Sequence, residues 1–145
     1  MQKADEMLYP ENVIIDLPLY GNQFIPLGIK TTLQERVNIA STFDNYCNGG
    51  SILHVNIEAP FNNFDQAWKM LNYITDSGVT YFAFTTKIQA CKHNHAFFGK
   101  ICPICGEPVA TEYSRIVGFY TPVRTYSKER KAEWTMREWE NVNEN

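Results

Sequence analysis

The stretch from Cys91 to Tyr126 constrains this chain most, because it sets two metal half-sites beside a lone glycine. It reads C-K-H-N-H, then C-P-I-C-G, then T-E-Y-S-R-I-V-G-F-Y-T-P-V-R-T-Y. In Cys102-Pro103-Ile104-Cys105-Gly106, two thiolates can grip one ion from a tight turn, and the glycine lets the backbone turn beneath it. Such a pair suits zinc, which is soft enough for sulfur and indifferent to redox. Cys91 has Asn94 where a second cysteine would complete the other half-site, and His93 and His95 flank that gap. Imidazole can replace a thiolate, so the expected ligands are Cys91, His95, Cys102 and Cys105, with His93 as substitute or outer partner. Reduced cysteines with surface histidines are the bland alternative, weakened by three clustered cysteines beside two histidines. A redox C-x-x-C would normally open a helix after a strand. No catalytic base stands beside the cluster, so a structural ion is expected, one that supplies much of the loop's folding energy.

The rest of the composition narrows the class. At 145 residues the chain is long enough for one domain with a core, and its 44% apolar and 14% aromatic content is globular. A net charge of -3 lacks the basic surplus that nucleic-acid modules use to displace counterions, so no direct nucleic-acid contact is expected. No apolar stretch approaches the roughly 20 residues of a membrane span. The opening M-Q-K-A-D-E-M-L-Y-P is too acidic for a signal peptide, and four cysteines then read as reduced thiols in the cytoplasm.

Ahead of the organising stretch, helices and strands alternate. Val13–Leu17 is a short β-branched run, and Leu19–Leu27 reads as a buried loop. Thr31 or Thr32 can cap a helix over 33–46 with the stripe Leu33, Val37, Ala40 and Phe43, ended by Asn48-Gly49-Gly50. Ser51–Ile57 reads as a strand. A second helix starts near Asn62 or Asn63 with Phe64, Ala67, Trp68, Leu71 and Ile74 on one face, and Val79–Thr85 is the clearest strand. Ser127 caps a last helix over 128–140, bearing Ala132, Met136 and Trp139, whose mixed charges read as a solvated face. The pattern predicts mixed α/β packing, with a sheet needing more strands than the chain supplies. Cys47 reads as a buried free thiol at a helix end, and His54 as a satisfied core histidine.

By default Gly118 is a bulge or bend in a strand. A sharper reading comes from resemblance. The segment Leu17-Pro18-Leu19-Tyr20-Gly21-Asn22-Gln23-Phe24-Ile25-Pro26-Leu27, the turn Gly49-Gly50-Ser51-Ile52-Leu53-His54 and Tyr81-Phe82-Ala83-Phe84 carry part of it. Metal knuckles followed by R-I-V-G-F-Y-T-P-V-R-T-Y-S-K-E-R carry the rest. From Leu17 through Trp139 the chain resembles the C-terminal part of the anaerobic ribonucleoside-triphosphate reductases, which are glycyl radical enzymes.

The resemblance implies a fragment of a glycyl radical enzyme barrel: an α/β segment from the barrel rim over 1–86, a zinc ribbon over 87–113, and the radical loop with its closing helix over 114–145. It implies that Gly118 stores a backbone radical, since only glycine offers an α-hydrogen with no side chain in the way. A radical S-adenosylmethionine activating enzyme would make that radical. It would then pass to a cysteine in the remaining barrel and so to a ribonucleoside triphosphate, for DNA synthesis. Cys47 does not match that cysteine, so the chain alone should not reduce nucleotides. Arg115 and Arg124 bracket the loop, either pairing with acids of the barrel or simply solvated. Without the barrel an apolar face should be bare, and a homodimer is left open. Two rivals stand beside this reading: a stand-alone zinc-ribbon binding module, and a spare-part subunit that replaces a damaged radical domain.

Overall fold

The computed structural model describes Gly21, residues 23–116 and residues 118–143; the run at Val13–Leu17 lies outside them. Thr32 caps helix α1 (Leu33–Asp44) through a capping box: its hydroxyl accepts from the Glu35 N–H, and the Glu35 carboxylate accepts from the Thr32 N–H. Hydrogen bonds from the Thr31 hydroxyl, then the Thr32 backbone and hydroxyl, hold the Glu35 pKa down at about 2. Strand β1 (Leu53–Asn56) follows the Gly50 turn, where φ is +80°. Asn63 caps α2 (Phe64–Asp76), and Gly78 (φ +86°) turns the chain into β2 (Phe82–Thr85).

β1 and β2 pair in parallel, Leu53 opposite Phe82 and Asn56 opposite Thr85, with α2 as the crossover. Val37, Ala40, Leu53, Val55, Ile57, Ile74 and Val79 form the core between this pair and the helices. The pair stands as a two-stranded sheet among the described residues, in keeping with the expected shortage of strands.

A second, four-stranded sheet has the order β4-β3-β5-β6. Its strands are β3 (Ile88–Ala90), β4 (Ala96–Phe97), β5 (Thr111–Arg115) and β6 (Tyr120–Pro122), all antiparallel to their neighbours. A 3-10 turn at Val123–Thr125 leads to α3 (Lys128–Met136), capped by the Ser127 hydroxyl accepting from the Arg130 N–H. The tail then returns to the first sheet. The Glu138 N–H donates to the Leu27 carbonyl at 2.9 Å and the Glu140 N–H to the Asn56 carbonyl at 2.8 Å.

Several sequence expectations change. The segment before α1 is a half-exposed series of turns rather than a buried loop, with Phe24 43% exposed. Phe43 leaves the α1 stripe to contact Phe24, while Arg36 is buried instead, donating to the carbonyls of Ile25, Pro26 and Ile29. Asp44 is also buried, accepting from the Ser51 hydroxyl and the Thr80 N–H. On α2 only Ile74 is fully buried, whereas Phe64 and Trp68 stack on each other largely in solvent. The last helix ends at Met136, and its charges are not all solvated: Arg137 is buried and the Glu133 side chain is 12% exposed. Backbone carbonyls and ion pairs satisfy these polar groups, so burial does not follow hydrophobicity.

Ile74 is wholly buried, so Ile74→Ala should cost about 3 kcal/mol in urea unfolding, mainly through the cavity it leaves. Phe64→Ser should change stability by less than about 0.5 kcal/mol and reduce self-association on gel filtration.

Candidate metal centre and glycine hairpin

Two tight turns face each other at the end of the second sheet. In the first, the Cys91 N–H donates to the His95 carbonyl (3.2 Å) and the Asn94 N–H to the Cys91 carbonyl (2.9 Å). Asn94 takes the left-handed conformation, φ +62°, which asparagine tolerates better than most residues. In the second, the Cys102 N–H donates to the Glu107 carbonyl (2.8 Å) and the Gly106 N–H to the Cys102 carbonyl (2.9 Å), with Gly106 at φ +72°. Asn94 thus plays the turn-making part that Gly106 plays opposite it.

Both turns point their donors inward. The ligand atoms of Cys91, His93, His95 and Cys105 all lie within 4.8 Å of one another. Cys91 and Cys105 Sγ are 3.6 Å apart, and His93 Nδ1 is 3.5 Å from Cys105 Sγ. Cys102 Sγ lies 3.6 Å from His95 Nδ1. The structure therefore brings Cys91, His95 and Cys105 together with His93, while the expected ligand Cys102 lies outside that four-atom group and reaches it through His95. Five donors stand near where a tetrahedral ion takes four. Burial pushes the Cys102 thiol up, but hydrogen bonds from the Cys105 and Ile104 backbone, with the Cys105 and His95 side chains, outweigh it and bring the pKa down to about 6. Burial and its thiol neighbours raise the Cys105 pKa, against the Glu107 backbone N–H that lowers it. Crowded thiols that share protons in this way are what a soft cation would relieve. The cluster fits a metal ion, and its sulfur and imidazole donors suit zinc.

β5 leaves this ribbon and turns back as β6, with Arg115 opposite Tyr120. The apolar run around the glycine is therefore a hairpin, with Gly118 in its exposed tip. A β-carbon built at Gly118 would meet no atom within 4 Å among the described residues. Lack of space does not require glycine here. Gly28 provides the contrast, because a β-carbon there would come within 3.1 Å of Met136.

The foot of the hairpin is tightly held. The Tyr126 hydroxyl donates to the Ser114 carbonyl (2.8 Å), and the Thr86 N–H donates to the Tyr120 hydroxyl (3.3 Å). The Arg115 guanidinium lies over the Tyr120 ring, 4.7 Å from its centroid. Arg137 donates to the Arg115 carbonyl and pairs with Glu133, contacts that sequence reading did not foresee. His54 is buried beneath, its Nδ1 3.3 Å from Thr85 Oγ1, while its Nε2 has no hydrogen-bond partner among the described residues, so it is half satisfied rather than the satisfied core histidine expected. Burial, then Arg115 and Arg137, lower its pKa and keep the imidazole neutral. Arg124 is exposed. Cys47 is half-buried and free, beside Ile52 and Tyr81 at the N-terminal ends of β1 and β2, whereas Tyr120 contacts the far end of β2.

Fold and site together define a mixed α/β piece in which a Cys/His ribbon carries an exposed glycine hairpin. Residues 1–139 match the family model of the anaerobic ribonucleoside-triphosphate reductase. No curated protein sequence matches the chain. Among solved structures it is similar to an anaerobic ribonucleotide reductase at 37% identity and TM-score 0.83, covering 96% of this chain and 22% of that one. It is also similar to the anaerobic ribonucleotide reductase from Thermotoga maritima with glycerol in the active site (38%, TM-score 0.74, 90% of this chain and 21% of that one). The same enzyme in complex with dATP and CTP matches at 38% and TM-score 0.72, over 90% and 21%. The chain spans about a fifth of the length of these structures and matches their C-terminal region. It belongs to the anaerobic ribonucleoside-triphosphate reductase family.

Two predictions follow from this geometry. One zinc per chain should be found by elemental analysis, and Cys102→Ser should lose it along with the ribbon's amide protection, whereas normal zinc in that mutant would remove Cys102 from the ligands. The second concerns Glu133, whose pKa burial tends to raise but Arg137, then Arg130, depress below 4.5. Its contribution should be complete above pH 4.5 and lost as the pH falls through that depressed value. Glu133→Gln should accordingly cost about 3 kcal/mol at neutral pH in urea unfolding, with the difference closing in acid.

Proposed function

We propose that this chain is the radical-bearing C-terminal region of an anaerobic ribonucleoside-triphosphate reductase, and that Gly118 stores the radical. The observation that carries the reading is the bare hairpin tip. Glycine stands at an exposed tip where no neighbouring atom calls for it, which favours a chemical reason for the residue. Loss of one α-hydrogen there leaves an unpaired electron shared with the flanking amides. Exposure at the tip suits approach by a radical S-adenosylmethionine activating enzyme, whose 5′-deoxyadenosyl radical would take the hydrogen atom and leave as 5′-deoxyadenosine.

In the assembled enzyme the stored radical would take a hydrogen atom from a cysteine thiol of the remaining barrel. The resulting thiyl would attack the ribose of a ribonucleoside triphosphate, on the way to deoxyribonucleotides. Residues 1–86 would then belong to the barrel rim, 87–113 to the zinc ribbon and 114–145 to the radical loop with its helix. Cys91, His95, Cys102 and Cys105 are the proposed zinc ligands, with His93 in reach to replace His95. The ion's part is structural. The chain would work in the cytoplasm, and alone it would not reduce nucleotides.

The test is anaerobic incubation of the chain with its activating enzyme and S-adenosylmethionine, read by electron paramagnetic resonance. A glycyl doublet that disappears in Gly118→Ala is expected, and no doublet with an activating enzyme proven on another substrate would sink the reading. Admitting air after radical formation should cleave the chain at Gly118, seen by mass spectrometry as two fragments; an intact chain would count against the assignment.

A further inference from the structure

Arg137 stands where α3 ends and the extended tail begins, and it is 5% exposed. Its guanidinium faces two ways. Nε and Nη2 hold the two carboxylate oxygens of Glu133 at 2.6 and 3.3 Å. Nη1 donates to the Arg115 carbonyl at 3.0 Å and lies 3.5 Å from Ser114 Oγ. Arg115 is the last residue of β5 before the hairpin tip. The backbone just beyond Arg137 belongs to the other sheet: Glu140 bridges Ile57, and the Glu58 N–H donates to the Glu140 carbonyl at 2.9 Å. One side chain and the residues that follow it thus tie the foot of the glycine hairpin to β1.

We propose that Arg137 is a positioning residue for Gly118, fixing the hairpin's foot against the β1–β2 pair so that the glycine is presented at one place. The proposal rests on the reading of Gly118 as the radical site. Its support is the contrast along the hairpin. Tyr126, Tyr120 and Arg137 all anchor the foot, while at the tip Phe119 is 82% exposed and Gly118 is exposed beside it. Such an arrangement sets the direction of the tip without touching the reacting atom. Arginine suits the task because its planar fork can hold a carboxylate on one edge and still donate to a carbonyl; a lysine is a point charge on a flexible stem. Burying a guanidinium is costly unless it is paired, and Glu133 supplies the partner.

The test uses the zinc-loaded chain and Arg137→Lys, which keeps a charge for Glu133 but cannot serve it bidentately together with the Arg115 carbonyl. Zinc content and far-ultraviolet circular dichroism should stay at wild-type values. In hydrogen exchange without activation, amides of 111–122 should exchange at least about tenfold faster while those of the ribbon and β1 hold their rates. After activation the glycyl doublet should fall severalfold in yield and broaden, with Arg137→Ala worse than Arg137→Lys. Wild-type exchange in Arg137→Lys would overturn the proposal, and so would faster exchange with an unchanged doublet, which would leave a merely structural clamp. A wild-type chain with no doublet would defeat the radical reading and the positioning role with it, while exchange would still report on the clamp.

Discussion

Between β3 and β5 the chain is held together by donor atoms more than by packing. The buried apolar cluster there comprises Cys91, Phe97 and Cys102, with Val109 packed against it. Two of its members are themselves candidate ligands, so little apolar surface remains to order the turns on either side. Structural zinc sites contribute about 10–16 kcal/mol in peptides that are unfolded without metal, far more than burial of one phenylalanine at roughly 3 kcal/mol. The exposed Lys92–Glu107 pair across the turns adds little. β5 grows directly out of this ribbon, registered on β3 by Gln89 opposite Glu112, and β6 is registered on β5. The place of Gly118 therefore depends on a Cys/His cluster that a metal ion would tie together.

The second dependence lies at the join between the sheets. Along β1, Leu53 and Val55, with Ile57 just beyond, face the helices, so His54 and Asn56 face the other way, and Thr85 pairs with Asn56 in register. That polar side is buried, and His54 on it feels the charges of Arg115, Arg137 and Glu133. Hydrogen bonds are directional where apolar contacts are not, so a polar join fixes one sheet against the other more narrowly than a greasy one would. The Glu133–Arg137 pair carries the largest charges in it. Removing either partner would strand the other in a dry place.

Local signals of capping and turning were legible in the sequence. Asn63 and Ser127 cap their helices, Thr32 forms its box with Glu35, and the knuckle at Cys102 turns at Gly106 as its spacing suggested. The clustering of Cys91, His95 and Cys105 was legible for the same reason, since ligand chemistry restricts residue type as well as spacing, whereas His93 rather than Cys102 completes the four-atom group. What could not be read were partnerships between distant segments. Arg36, Asp44 and Arg137 each look solvated on a helical wheel, and their burial follows from carbonyls and carboxylates placed by other parts of the fold. Phe64 and Trp68 fail in the opposite sense. They look like core, yet the surface they would pack against is not among the described residues.

That bare surface bears on how a stored radical could survive. Under the proposed function, the exposure that would admit an activating enzyme to Gly118 would admit oxygen as well. Under the proposed function the exposed state can be only one of two, the other having the tip covered. Tyr126 and Arg137 hold the hairpin only at its foot and leave the tip exposed. Phe119, Phe64, Trp68 and Tyr81 are all exposed aromatic groups, whose burial would be worth roughly 2 kcal/mol each. On the proposed function, the remaining barrel of the reductase would be the body that covers both hairpin and helix. Under that reading the Cys/His ribbon and the Arg137 clamp would share one purpose, which is to keep the foot rigid while the tip passes between activating enzyme and barrel.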